Sequence, residues 1–221
     1  MGKMIVIEGL GGSGKATQTG MLFEKLQDRG FPVRRLEYPD YGSSSSALVK
    51  MYLGGEFGGD PGDVNAYAAS ALYAVDRVAG FLADWKEAYQ RDTIFLCDRY
   101  ATSNIIYQMA KLPDDERDKF IAWQNDFEYN KLGLPRPDAV LYLDVEPGIS
   151  QKLMEKRYEG DDAKKDLHER NLQFLLNCRR SALYAAEKCG WRRIDCCKNG
   201  AIKPIDEIAV AVEAALKDIL C

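Results

Sequence analysis

Glu8 to Thr17, EGLGGSGKAT, follows the apolar run Met4-Ile5-Val6-Ile7 and leads into a segment with helical spacing. Gly9, Gly14 and Lys15 fit the pattern G-x-x-x-x-G-K-[ST], in which backbone N–H groups of a glycine-rich turn, here through Gly12, Ser13 and Gly14, point at phosphate oxygens. The lysine then reaches the terminal phosphates. Such a loop needs a buried strand before it and a helix after it. Met4–Ile7 reads as the strand, and Ala16, Met21, Leu22 and Leu26 recur at helical spacing before Arg29 and the stop signal Gly30. The closing hydroxyl is missing. Ala16 stands where Ser or Thr would set an oxygen on Mg²⁺, and Thr17 comes one residue late, about 100° further round the helix.

The rest of the 221-residue chain fits one core-bearing domain, being 46% hydrophobic and 29% charged. With 34 acidic and 30 basic residues the net charge is -4, which argues against a surface built to hold a nucleic acid polymer by phosphate neutralisation. No apolar run reaches the ~20 residues of a bilayer span and no secretory signal opens the chain, so a cytoplasmic protein without membrane contact is expected. The six cysteines form no C-x-x-C pair and His168 is the single histidine; reduced, structural thiols rather than a zinc site are expected.

Strand-like and helix-like segments alternate along the chain. Val33–Tyr38 reads as a second strand, broken by the turn-forming run from Pro39 to Ser46. Asp60 or Asp63 is placed to cap a long helix whose apolar side carries Val64, Ala68, Ala71, Leu72, Val75, Ala79, Leu82 and Trp85; that side is expected to pack in the core, with a helix-to-helix dimer interface as the other use. Thr93–Cys97 is a short apolar strand that ends in Asp98-Arg99-Tyr100, and a helix with Phe120, Trp123 and Phe127 at helical spacing follows Pro113. Ala139–Leu143 is a further strand. The charged stretch between Gly148 and Glu169, broken at Gly160-Asp161-Asp162, reads as a mobile flap. A helix is expected from about Asp166 to Lys188 with Leu172, Leu175, Leu176 and Leu183 inside, then a fifth strand at Trp191–Cys196, and Pro204 opens a last helix. Alternating strands and helices predict a mainly parallel five-stranded sheet with helices on both faces, and a ligand crevice at the strands' carboxyl ends.

That crevice would gather the parts phosphoryl transfer needs: an anion cradle, a metal and cations that follow the moving charge. Lys15 would hold donor phosphates. Asp98 is the candidate Mg²⁺ ligand, since this cation keeps several waters and takes one or two carboxylates. Arg77 and Arg99 are candidates for gripping an acceptor phosphate with their planar forks. Tyr73 shares a helix face with Arg77 and could stack a base. In the flap, Lys152, Lys156, Arg157, Lys164 and Lys165 could neutralise charge on closure.

Taken together these stretches resemble the thymidylate kinase family of P-loop nucleoside monophosphate kinases over nearly the whole chain. IVIEGLGGSGKATQ resembles its phosphate loop, EYPDYG its acceptor loop, YAVDR its arginine-bearing helix and DRYATSNIIYQ its Asp-Arg-Tyr block. PDAVLYLDVEP resembles the strand before its lid, here about residues 152–166, and NGAIKPIDEI the loop and helix near the donor adenine. The resemblance implies a P-loop kinase fold that transfers the γ-phosphoryl of ATP to dTMP with Mg²⁺, commonly as a homodimer. It implies that Tyr73 stacks on thymine, Arg77 and Arg99 contact base and phosphate, and Tyr38 and Pro39 form the acceptor loop. Asn104 and Tyr107 would lie near the sugar, Tyr107 crowding out a ribose 2′-hydroxyl, and Arg157 is the best-placed lid arginine. Two departures stand out: Gly11 replaces the carboxylate usual in the family, and Ala16 removes the metal-binding hydroxyl. Gly12 also supplies no loop arginine, which shifts the catalytic cation toward the lid. They keep open a kinase for another deoxynucleotide or deoxynucleoside, and a nucleotide-binding module with weakened catalysis.

Overall fold

The computed structural model describes residues 1–157 and 166–220, with the side chains of all of these except Lys156 and Arg157. At its centre lies β1 (Lys3–Gly9), buried from Met4 onward. After the glycine loop come α1 (Lys15–Asp28), β2 (Val33–Glu37), α2 (Ala47–Leu53) and α3 (Ala66–Gly80); α3 passes through a π-helical turn, Phe81–Trp85, into α4 (Lys86–Tyr89). Next are β3 (Ile94–Asp98), α5 (Thr102–Tyr107) and α6 (Arg117–Asn125), which a second π-helical turn extends over Asp126–Lys131. β4 (Ala139–Asp144), α7 (Pro147–Arg157), α8 (Leu172–Cys189), β5 (Arg192–Asp195), β6 (Cys197–Lys198), β7 (Ala201–Ile202) and α9 (Ile205–Ala214) complete the order.

The first five strands form one parallel sheet in the order β2-β3-β1-β4-β5. Because side chains alternate across a strand, successive residues of β1 feed two cores. Met4 and Val6 join Phe95, Cys97, Val140 and Tyr142 under helices α5, α6 and α8. Ile5 and Ile7 join Leu96, Leu141 and Leu143 under α1 and α9, where Leu22, Leu26, Ile208 and Val212 are buried. Each of these large side chains contributes about 1.5–3 kcal/mol by leaving water. β3 and β4 flank β1, with Ile7 beside Asp98 and Gly9 beside Leu143, so the loop after β1 and the Asp98-Arg99 turn emerge side by side at the same sheet edge.

Three expectations are corrected. The cap of α3 is Asn65, whose side chain accepts from the Ala68 N–H at 2.9 Å; Asp60 and Asp63 cap each other across the short turn Pro61–Asp63 instead. The expected apolar side of α3 faces the core only in part: Trp85 is buried and Val64 and Leu72 pack against a small core cluster, but Val75 and Leu82 are 53% and 62% exposed, and α3 itself buries Ala66, Ala69, Ser70, Ala74 and Arg77. α8 begins at Leu172, with Asn171 as cap, because Asp166 already takes the His168 and Glu169 N–H groups into a separate turn. Leu172 and Leu176 are exposed, while Phe174, Leu175, Cys178 and Ala182 pack inward. One element was not foreseen. β6 and β7 form a small hairpin over Asn199 and Gly200, both at positive φ (53° and 74°), a turn that Asn-Gly favours. The flap's Gly-Asp-Asp break and most of the expected lid fall on residues 158–165, outside the described residues.

Candidate active site

The glycine loop is shaped by close approach. Gly12 and Gly14 have φ of 73° and 84°, and a Cβ on Gly12 would lie 2.7 Å from the Ser150 carbonyl oxygen. Gly9 is packed so closely that a Cβ would lie 2.5 Å from Ser13 Oγ. Lys15 is buried and donates from Nζ to the Leu10 carbonyl at 3.0 Å. Burial, aided by the positive Arg99, brings its pKa down to about 7, against the pull of Asp98, Glu8 and Glu169.

Beside the loop, Arg99 turns the chain out of β3 with φ 67°, a left-handed conformation uncommon outside glycine. The turn is fastened by Glu8, which is fully buried and accepts from the Tyr100 N–H at 3.3 Å, Thr102 Oγ1 at 2.7 Å and Ser103 Oγ at 2.8 Å. Burial raises the Glu8 carboxyl pKa, with Arg99 and the hydroxyl donors pulling the other way. Arg99 Nη1 donates to the Tyr107 hydroxyl at 3.0 Å, and its guanidinium carbon stands 5.1 Å from the Tyr107 ring centre.

Further in, Arg77 reaches from α3 to Glu128, donating from Nε to Oε2 at 3.1 Å and from Nη2 to Oε1. Glu128 also accepts from Gln124 at 2.8 Å and Asn104 at 3.2 Å, so α3, α5 and the end of α6 meet at one carboxylate. The Tyr38 hydroxyl accepts from Trp85 Nε1 at 2.9 Å. Gln108 buries both amide atoms without a well-formed hydrogen bond among the described residues.

One cleft of about 770 Å³ gathers Lys15, Asp98 and Arg99 with Ala16, Thr17, Ile202, Lys203 and Ile205, and with Tyr38, Pro39, Tyr73, Arg77, Asn104 and Tyr107. Among the described residues no cluster of His, Cys, Asp and Glu forms a metal cage. Asp98, 6% exposed at the end of β3, and the Ser13 hydroxyl, buried without a hydrogen-bond partner among the described residues, fit a hydrated divalent cation that arrives with a nucleotide.

A model of the thymidylate kinase family matches residues 7–203. The chain belongs to the thymidylate kinase family. It is 33% identical to the thymidylate kinase of Mycobacterium tuberculosis over 184 residues, 82% of this chain and 84% of that one. It is 28% identical to the thymidylate kinase of Bifidobacterium longum over 221 residues, 99% and 98% of the two chains. In fold it is similar to the thymidylate kinase structure from Candida albicans, with a TM-score of 0.72 at 22% identity, covering 98% of this chain and 92% of that one.

The sequence-predicted residues of this thymidylate kinase family member meet in one cleft, apart from Gly9 and the exposed Lys152, which are not in its lining, and Lys156, Arg157, Lys164 and Lys165, whose side chains lie outside the described residues. Sequence reasoning missed Glu8, Gln108, Glu128, Asp166 and His168, all buried or half-buried at or beside the cleft. Glu128 had one local signal, a carboxylate four residues after Gln124 at the end of an otherwise core-packed aromatic helix. Its partner Arg77 lies 51 residues away, beyond any local pattern.

Proposed function

We propose that the protein transfers the γ-phosphoryl group of ATP to dTMP, giving dTDP and ADP. The observation that carries this reading is a single cleft lined by two sets of groups. The glycine loop with Lys15 is one set, Tyr73, Arg77, Asn104 and Gln108 are the other, and Arg99 lines the same cleft. The loop N–H groups and Lys15 hold the β- and γ-phosphates of ATP, and Ile202 to Ile208 flank its base. Asp98, with water and the phosphates themselves, would hold Mg²⁺, whose charge would offset that of the transferring group.

The acceptor is placed by this chain's own groups. Tyr73 offers a face to the pyrimidine, while Arg77, Asn104 and Gln108 supply donors and an acceptor to its polar edge. Tyr107 bounds the sugar, and Arg99 grips the acceptor phosphate opposite the γ-phosphoryl. Charge developing in the in-line displacement is met by Lys15 and Arg99, with Arg157 the proposed lid contribution. Proton demand is small because the acceptor oxygen is already anionic. Residues 1–221 act in this reading as one kinase domain in a cytoplasmic homodimer. The exposed apolar pair Val75 on α3 and Leu82 on the π-helical turn after it is what supports the dimer. Purified protein with ATP and a panel of nucleoside monophosphates tests the function: ADP formation with dTMP well above that with dUMP, dCMP, dGMP or AMP is expected.

A further inference from the structure

The single histidine of the chain, His168, is 5% exposed and lines the cleft together with Tyr107. Its ring lies parallel to that of Tyr107, centres 5.3 Å apart and planes 15° apart. It also meets Phe174 at 5.1 Å and the edge of Tyr52 at 5.5 Å. Its Nε2 is 2.9 Å from the Tyr52 hydroxyl, and that same oxygen lies 2.9 Å from Lys111 Nζ. Lys111 donates to the Tyr52 oxygen, and the Tyr52 hydroxyl and His168 Nε2 share a hydrogen bond whose direction follows the tautomer of the ring. Packing among three aromatic rings favours the neutral imidazole. Burial, with Lys111 and Arg99 nearby, also lowers its pKa to about 3.

Tyr107 is consequently fixed from two sides. His168 covers one region of the ring system by stacking, and Arg99 both overlies the ring at 5.1 Å and donates to its hydroxyl. Arg99 is a long side chain with about 2 kcal/mol of rotamer entropy to lose on binding. Holding it against an immobile aromatic before substrate arrives removes part of that cost. Burial above all keeps the imidazole neutral, so it brings no second positive charge near Arg99.

We infer that His168 is a positioning residue for the transfer reaction, acting through Tyr107 to hold Arg99 ready for the acceptor phosphate. His168 belongs to the turn that begins at Asp166, which accepts its N–H at 2.8 Å, so the placement of this turn is coupled to the phosphate-gripping arginine. The inference rests on reading Arg99 as an acceptor-phosphate contact, and it is independent of which base the acceptor carries.

The test compares His168→Leu, which keeps apolar bulk but removes the ring, with His168→Phe, which keeps a stacking ring but loses the Tyr52 hydrogen bond. Steady-state kinetics use whichever monophosphate the wild type phosphorylates best, so failure of the thymidylate reading leaves the comparison intact. His168→Leu should raise the acceptor KM about tenfold with the ATP KM within about twofold, and His168→Phe should stay within about threefold of wild type. In a Tyr107→Leu background, His168→Leu should add less than about twofold. An unchanged acceptor KM in His168→Leu, equal losses in both variants, or a full additive loss in the Tyr107→Leu background would overturn the inference.

Discussion

Arg77, which lines the cleft, and Glu128 form a fully buried ion pair, their side chains 2% and 0% exposed. A buried pair of this kind is costly to break because the remaining charge has no compensation, typically about 3–5 kcal/mol. Glu128→Ala should therefore lower unfolding free energy by that order in urea titration. Replacing both partners, Arg77→Met with Glu128→Leu, should recover most of that stability, since an apolar pair of similar bulk removes both charges. The double variant should still fail to bind dTMP. Stability recovered together with full acceptor affinity would show that Arg77 is only structural.

Proton linkage follows from Lys15. Its pKa of about 7 in the free protein means the amine is mostly neutral at pH 8. An ATP phosphate beside it favours the charged form and raises that pKa, so binding must take up protons above pH 7 and ATP affinity must fall as pH rises from 7 to 9. Calorimetric titration in buffers of different ionisation enthalpy reads the uptake directly. Lys15→Ala should abolish both the uptake and turnover.

The exposed Ala16 lies in the cleft lining without a hydroxyl to offer a cation. Ala16→Thr should lower the Mg²⁺ concentration for half-maximal rate by about threefold or more, because one more oxygen joins the cation's shell. Titrating Mg²⁺ at fixed ATP checks this; an unchanged midpoint would remove the significance given to Ala16.

Val75 on α3 and Leu82 on the π-helical turn that follows present apolar surface to solvent. Val75→Glu with Leu82→Glu should convert a dimer to monomers by light scattering, with the chain's own fold and circular dichroism retained. A monomeric wild type would contradict the homodimer.

Sequence reading succeeded where signals are local. The apolar β1, the glycines that accept positive φ, and Lys15 after Gly14 are contiguous, and each needs only its neighbours to take its conformation. It failed where two local solutions competed: Asp60 with Asp63 and Asn65 all look like caps, and the Pro61 turn used the first two, leaving Asn65 for α3. It failed in part on the α3 face, because the helix buries the side that brings Arg77 to Glu128 and leaves Val75 exposed. Hydropathy alone cannot register a charge whose partner arrives from 51 residues away. His168 carried no signal beyond being a lone histidine, since its meaning lies in Tyr52, Tyr107 and Lys111.

The most direct measurement is the acceptor specificity of the purified protein, read as kcat/KM from ADP release with ATP, Mg²⁺ and each of dTMP, dUMP, dCMP, dGMP and AMP. The two sets of groups lining the cleft predict dTMP well ahead of the others. Equal or better use of another monophosphate, or binding of ATP and dTMP with no turnover at any Mg²⁺ concentration, would contradict it.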